Sequence, residues 1–315
     1  MSTHPDQSGG TSSASFSTPA VQGFFFALAA TVVWSFNFIA GRGLADAIPP
    51  CTLALARWGL AFCAVLPFAL PELKREWRYF ARNRTYYFFT GAIGIAWFNT
   101  ALYIAAHSVP ALNMSLMATS SPLFTIILAR VFFGEPIPLS RVAGIIIVIF
   151  GILLLIARGD FQALAGLDFH KGDLLVLSAA LSFSIYTLLV RKKPQGGGQL
   201  SYFAVTFGIG VLLLLPFAVW EMVRGEQIQV SAHLIGGIVY MGLGASLLAF
   251  WCWSRAINSI GPARSSLIYY SLPLFCAIEA VLMLGEPIHW FHYAGGALIV
   301  SGLALATRSN RSGAG

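Results

Sequence analysis

Residues 122–137 read PLFTIILARVFFGEPI, and residues 273–288 read PLFCAIEAVLMLGEPI. Both stretches belong to an internal repeat, in which residues 105–154 align without a gap with residues 256–305 and share eighteen of fifty positions. With a two-residue slip the alignment continues upstream, where the tripeptide LPF occurs in both halves. Two homologous halves in an apolar chain are typical of membrane carriers that bind their solute between the repeats.

The composition places the chain in a membrane. It is 57% hydrophobic and only 10% charged, with a mean hydropathy of +0.76. Apolar stretches of about 17–25 residues recur along it, each long enough to cross the hydrocarbon core. The predicted spans are 21–41, 50–70, 86–106, 110–132, 141–157, 173–190, 201–220, 234–254, 262–284 and 288–306. The sequence therefore predicts an all-α membrane protein with ten transmembrane helices.

The ten spans divide into two sets of five. We predict a first repeat at 21–158 and a second at 172–307, flanked by a disordered tail at 1–20 and a short tail at 308–315. The first tail is rich in Ser, Thr and Gly, a composition that is typical of disorder. Because five is odd, the second half must enter the membrane from the opposite side. The prediction is therefore two inverted five-helix repeats around a central cavity.

Basic residues indicate the orientation. Fourteen of the nineteen Lys and Arg residues fall on one side of the predicted spans, and only four fall on the other. The positive-inside rule then predicts that both termini are cytoplasmic, as in a multi-pass protein of the bacterial inner membrane. The net charge of +7 is interpreted in the same way, as anchoring at the lipid surface and not as binding to nucleic acid.

The two GEP tripeptides are expected to be tight turns on opposite sides of the membrane. Glycine suits the left-handed residue that ends a helix, and proline can open the next helix. A direct gating role for Glu135 and Glu286 is the alternative.

These motifs carry a family resemblance over residues 21–307. The stretch WSFNFIAGR at 34–42 and the PLF…GEP hairpin in each half resemble the EamA family of the drug/metabolite transporter superfamily. Within that family, the WSFNF stretch and the many aromatic residues make the chain most similar to the YddG-type exporters of aromatic amino acids. The resemblance implies the export of amino acids and related amphiphilic metabolites. Lipophilic cations and drugs are the alternative substrates.

Polar and aromatic residues within the spans are candidates for a substrate cavity. Trp34 and Asn37 share one face of the first span, because side chains three residues apart lie together on a helix. The repeat matches Asn37 with Tyr186, and an amide within a span usually faces protein or water. Packing between helices is the alternative interpretation. The full candidate set is Trp34, Asn37, Trp97, Asn113, Met117, Tyr186, Trp251, Tyr269 and Tyr270.

Two charged residues lie deep within the predicted spans. Arg57 and Glu279 are at similar depths when counted from the same face, so an ion pair is sterically possible. The alternative is substrate recognition, in which Arg57 binds the carboxylate of an amino acid and Glu279 binds its ammonium group.

Proline interrupts equivalent spans of the two halves. Pro122 and Pro273 each remove a backbone hydrogen bond and kink a helix. We expect both to serve as hinges in an alternating-access cycle.

Other functions find little support in the sequence. A membrane enzyme would need paired carboxylates or a nucleophile with a base, and no catalytic residue is predicted. His289 and His292 alone are weak evidence for a metal site, so neither a metal nor a cofactor is expected. The chain has no ATP-binding motif and no pattern of pore-lining polar rings, which argues against an ATP-driven pump and a channel. The expected partners are a small-molecule substrate and membrane lipid.

Overall fold

The computed structural model describes residues 18–134, 139–160 and 170–307. All regular elements within these residues are helices. They are α1 (Thr18–Gly43), α2 (Pro50–Arg82), α3 (Arg84–Ala105), α4 (Ala111–Ala118), α5 (Ser121–Phe133), α6 (Leu139–Ile156), α7 (Lys171–Arg191), α8 (Gln199–Val223), α9 (residues 232–269), α10 (Leu272–Leu284) and α11 (Trp290–Thr307). The predicted tails lie outside the described residues, except that 18–20 already belong to α1.

Length and hydropathy make this chain a multi-pass membrane protein. Among the described helices, seven are long and apolar enough to cross a membrane when α4 and α5 are counted as one. Three shorter apolar helices, α6, α10 and α11, accompany them. Large apolar side chains point outward, including Phe132, Val223 and Leu282, which are 68, 79 and 78% exposed. Such a surface is stable against lipid hydrocarbon, where apolar exposure carries no penalty.

Helix α9 folds back on itself. The rings of Trp253 and Tyr269 have their centroids 5.8 Å apart. In a straight helix the same sixteen-residue separation would span about 24 Å. The chain therefore reverses direction between these two residues, where the sequence predicts a connection between two spans. That connection is helical in the structure.

Three described helices contain a widened π-helical segment; the one in α10 is Ala280–Leu284, and the other two lie at equivalent positions of the repeat. These two segments are Gly91–Trp97 in α3 and Tyr240–Leu248 in α9. A π turn includes an extra residue, so the side chains beyond it rotate relative to a regular α-helix. Several residues of the candidate site come from these segments or directly follow them.

The contact between α6 and α11 is reciprocal. A methyl group on Gly151 would lie 2.9 Å from the carbonyl oxygen of Gly295, and one on Gly302 would lie 2.7 Å from that of Gly144. The alignment makes Gly151 the counterpart of Gly302 and Gly144 the counterpart of Gly295. Each helix thus presents the same pair of glycines to the other, as two surfaces related by a two-fold axis do.

A second reciprocal contact joins α2 and α8. Glu221 accepts hydrogen bonds from the backbone N–H groups of Cys51 and Thr52 at 2.9 and 2.8 Å, and from the Thr52 hydroxyl at 2.8 Å. Its counterpart Glu72 accepts from the hydroxyl of Ser201 at 3.2 Å, and Ser201 is the counterpart of Thr52. A carboxylate thus lies at the first turn of each helix, where the helix dipole stabilises negative charge.

The GEP turns are confirmed as left-handed helix ends at their glycines. Gly134 and Gly285 have φ angles of 67° and 65°. The expectation for the following proline is wrong at Pro287, because α11 begins only at Trp290. The corresponding residues Glu135 and Pro136 lie outside the described residues.

The glutamate of the second turn stabilises a neighbouring helix. Glu286 accepts hydrogen bonds from the N–H groups of Ala111 and Leu112 at 2.9 and 3.4 Å, and so caps the first turn of α4. Arg42 lies 4.0 Å from the same carboxylate. These contacts favour the structural interpretation of this glutamate over a gating role.

Both halves have a helix break next to the equivalent prolines. Helix α4 ends at Ala118 and α5 begins at Ser121, directly before Pro122. In the second half, α10 begins at Leu272, directly before Pro273. Each proline occupies the first turn of a new helix, where its missing N–H is tolerated.

Candidate functional site

A cavity lies between elements of the two halves. Seven of the eleven described residues that line it are aromatic, and one is charged. They are Trp34, Asn37, Phe38, Arg57, Trp58, Phe98, Asn99, Leu102, Phe183, Phe250 and Tyr269. A predominantly apolar pocket with a few polar groups is the usual form of a small-molecule site.

The charged residue is Arg57 of α2, whose side chain is only 3% exposed. Its Nη1 donates to the Oδ1 atoms of Asn37 and Asn99 at 2.8 and 2.7 Å, and lies 2.6 Å from the hydroxyl oxygen of Tyr103. Its Nε donates to the hydroxyl of Ser246 at 2.9 Å. Groups from α1, α3 and the π segment of α9 therefore hold the guanidinium in place at one wall of the cavity.

All of these acceptors are neutral. No carboxylate of the described residues lies within 4 Å of the Arg57 guanidinium. Its Nη2 has no hydrogen-bond partner in the described part of the chain, nor is it among the polar atoms sealed from solvent there. Burying a cation without a counter-ion costs about several kcal/mol of folding free energy. A buried charge of this kind is typical of a functional site within a membrane.

Trp34 forms an aromatic wall next to this cluster. Its indole N–H donates to the carbonyl oxygen of Ala245 at 3.0 Å, an acceptor within the π segment of α9. Its ring makes edge or tilted contacts with Phe250, Trp253 and Tyr269 at centroid distances of 5.3–5.8 Å. The N–H is therefore satisfied by protein, and the ring face is left for apolar contact.

The structure places four predicted residues at the cavity: Trp34, Asn37, Arg57 and Tyr269. Four others pack nearby without lining it. Met117 and Asn113 are buried in the core around α4. Tyr270 packs against that core, and Tyr186 packs beside Phe183, with ring centroids 6.1 Å apart.

The two remaining tryptophans lie away from the cavity. Trp97 and Trp251 are 46 and 48% exposed and do not line it. Trp251 instead meets Phe26 edge-on at 5.5 Å. Both residues lie at or just beyond a π segment, where a face counted on a regular α-helix no longer holds. They were predicted from their position near the middle of a span, which gives depth in the membrane but not the helix face.

The predicted ion pair between Arg57 and Glu279 is not formed. Glu279 Oε1 accepts a hydrogen bond from the hydroxyl of Ser35 at 2.9 Å, while Oε2 is buried without a partner. Glu279 does not line the cavity. Counting residues matched the depths of the two side chains but not their directions, and each has other hydrogen-bond partners.

Sequence reasoning missed most of the aromatic lining and one polar residue. Asn99 is a buried amide in the third span, so the argument that selected Asn37 would also have selected it. Phe183 is the repeat counterpart of Trp34, and this relation was a second usable signal. The other missed residues are Phe38, Trp58, Phe98, Leu102 and Phe250, apolar side chains that resemble ordinary packing residues in a sequence. In the described part of the chain, His, Cys, Asp and Glu do not group as a metal site would require.

Comparisons with known proteins agree with the internal repeat and the helical fold. The sequence matches the EamA-like transporter family twice, over residues 21–157 and 170–308. A solved crystal structure aligns over 91% of this chain and 96% of its own, with a TM-score of 0.60 at 20% identity, which shows a shared fold.

Curated relatives are named as transporters. An uncharacterized transporter of Bacillus subtilis is 26% identical over 82% of this chain and 84% of its own. A probable terminal-alkyne amino-acid exporter of Streptantibioticus cattleyicolor is 28% identical over 90% of this chain and 93% of its own. A probable amino-acid metabolite efflux pump of Salmonella typhimurium is 25% identical over 89% of this chain and 93% of its own. The two matched regions cover most of the sequence, and the chain belongs to the EamA-like transporter family.

Proposed function

We propose that this transporter exports amino acids, aromatic ones among them, together with related amphiphilic metabolites. The observation that carries the proposal is the cavity, in which aromatic walls meet one polar cluster built around Arg57. Aromatic and apolar walls accept side chains of varied shape, while a single polar cluster fixes one end of the solute. Broad specificity for amphiphiles follows. The printed names of the Streptantibioticus and Salmonella relatives favour amino acids within this class.

The proposed architecture is ten spans in two inverted repeats. The reciprocal glycine contact of α6 with α11 supports it, as do the matching contacts of Glu72 and Glu221 with the first turn of the partner helix. The reversal within α9 supports two spans in this region. The part of α9 before the reversal is the eighth span, and the part after it forms the ninth span together with α10. Repeats related in this way can exchange conformations, and this exchange opens the cavity to each side in turn.

The proposed location is the bacterial inner membrane with both termini in the cytoplasm. Charge supports it, because the connection between α2 and α3 and the one between α7 and α8 fall on the basic side of the sequence. The positive-inside rule places that side in the cytoplasm.

Counterflow in proteoliposomes tests the proposed function. Vesicles with purified protein and no ion gradient are preloaded with unlabelled tryptophan, and the uptake of labelled tryptophan, phenylalanine and threonine is followed. We expect saturable uptake that overshoots equilibrium, because a carrier exchanges internal for external substrate. Protein-free vesicles provide the background.

A lipophilic cation such as tetraphenylphosphonium serves as the competing substrate. Movement of this cation without amino-acid exchange would overturn the proposal and favour a drug exporter. Uptake that is linear in concentration and shows no overshoot would favour a channel.

A further inference from the structure

The Arg57 guanidinium has more donors than the protein uses. Arginine carries five N–H donors and no acceptor. Nε and Nη1 are directed to neutral oxygens of the protein, whereas Nη2 has no partner in the described part of the chain. Because Arg57 lines the cavity, its Nη2 is available to donate to a solute. The two N–H groups of Nη2 can donate to a carboxylate, and a hydrogen bond between two charged groups is among the strong ones.

The described lining of the cavity offers no carboxylate to an ammonium group. None of the described residues that line it is an aspartate or a glutamate. Glu279, which the sequence suggested for that role, instead bonds Ser35 outside the cavity. An ammonium group would meet only amide and hydroxyl oxygens and aromatic faces, in the field of a fixed guanidinium that repels it.

We propose that the cavity selects substrates by their carboxylate and does not require their ammonium group. This inference rests on the proposed function and names its substrate class as aromatic and other apolar carboxylates. Free amino acids belong to that class, and so do their deaminated and N-acylated derivatives. Amines that lack a carboxylate are excluded.

The arrangement of the cavity orients such a solute. Its carboxylate accepts from Arg57, on the wall where Asn37 and Asn99 already hold the guanidinium. Its apolar or aromatic body lies against the rings of Trp34 and Tyr269, which stand 5.8 Å apart at an edge-on angle of 80°. One polar end and one apolar body are sufficient for recognition. The cavity does not recognise the ammonium group on the α-carbon.

Equilibrium binding to the detergent-purified protein tests this selectivity without requiring transport. Isothermal titration calorimetry with L-tryptophan, indole-3-propionate and tryptamine compares one ring system with both charges, with the carboxylate alone and with the ammonium alone. We expect the first two ligands to bind within about threefold of each other and tryptamine to bind about tenfold or more weakly, as the loss of a charge-assisted hydrogen bond predicts. Equal binding of tryptamine, or loss of indole-3-propionate binding, would overturn the inference.

A pair of arginine variants assigns the selectivity to one side chain. We expect Arg57→Met to weaken both carboxylate ligands about tenfold or more and to leave tryptamine unchanged or improved. Arg78→Met removes an exposed arginine from the end of α2 and should change none of the three affinities. If Arg57→Met does not fold, the wild-type ligand series still decides. If the ligands bind as expected but counterflow fails, the transport proposal alone is wrong.

Discussion

Equivalent positions of the two halves carry different side chains around the cavity. In the first half, Asn37, Arg57 and Asn99 form a hydrogen-bonded polar cluster. Their counterparts in the second half are Tyr186, Thr206 and Phe250. Thr206 bonds only to carbonyls of its own helix, and Phe250 adds an aromatic ring to the cavity. Among the described lining residues, the first half supplies the arginine, both amides and most of the apolar side chains, whereas the second half adds three aromatic rings.

Elsewhere the two halves remain alike. The glycines of α6 and α11 make the same contact from both sides, and Glu72 and Glu221 both contact the first turn of the partner helix. These shared features build the scaffold, because a pseudo-symmetric interface must serve both partners. The comparison indicates that like positions maintain the fold and unlike positions form the site. Variants at like positions should therefore act equally in both halves, and variants at unlike positions should not.

The largest expected effect concerns the glycine contact. Gly151→Ala and Gly302→Ala each place a methyl group within 2.9 Å of a backbone carbonyl oxygen, so the helices must separate. We expect each variant to lose about 3 kcal/mol of stability, the upper range for overpacking. Thermal unfolding of the detergent-purified protein measures the loss. Gly236→Ala is the matched control, because no heavy atom lies within 4 Å of its added methyl group. A variant pair with clearly unequal losses would contradict the reciprocal contact.

The second prediction exchanges unlike residues. Asn99→Phe gives the first half the side chain of its counterpart and removes an acceptor that lies 2.7 Å from Arg57 Nη1. We expect tryptophan affinity to fall about tenfold or more, since a hydrogen bond to a charged group is lost. The reverse change, Phe250→Asn, should cost clearly less because it removes only apolar contact. Competition in counterflow compares the two variants. Equal losses would mean that the polar cluster has no special role in binding.

The third prediction concerns the proline breaks. Pro122→Ala and Pro273→Ala restore a backbone donor next to each break and should stiffen the joint. We expect each variant to exchange tryptophan about fivefold more slowly, as a barrier higher by about 1 kcal/mol predicts. Affinity should stay unchanged, and both halves should respond alike. Initial exchange rates and equilibrium binding, measured on the same preparations, separate the two effects. Wild-type rates in both variants would remove the hinge assignment.

The repeat is the part of the fold that the sequence predicts best. Recurrent apolar stretches and the GEP motif locate the helices, and Gly134 and Gly285 adopt the left-handed conformation expected for them. The motif is informative because a positive φ restricts the residue type. The helical connection within α9 was not anticipated, because the Gly261-Pro262 dipeptide in its sequence favours a loop.

The site is only partly predictable, for a geometric reason. Trp34 and Asn37 lie on a regular helix, so their spacing gives the correct face. Trp97 and Trp251 lie at or just beyond π segments, and their position near the middle of a span gives their depth but not their helix face. Counting residues also gives depth but not direction. Arg57 and Glu279 were therefore matched in depth although their side chains have different partners.

The smallest effect is expected at Glu279, an unlike position whose counterpart is Leu128. Glu279→Gln keeps the size of the side chain and an oxygen acceptor for Ser35, whose hydroxyl lies 2.9 Å from Oε1. Since this carboxylate neither lines the cavity nor pairs with Arg57, we expect counterflow of tryptophan to stay within about twofold of wild type, as for a change away from a binding site. The exposed Glu226→Gln is the control for loss of one negative charge.

The same variant distinguishes carboxylate selection from zwitterion recognition when indole-3-propionate is measured beside tryptophan. If Glu279 has no part in binding, both ligands are exchanged as in the wild type. A loss confined to tryptophan would show that Glu279 reads the ammonium group during the cycle. The second half would then supply a charge of its own, and recognition would be divided between the repeats instead of concentrated around Arg57.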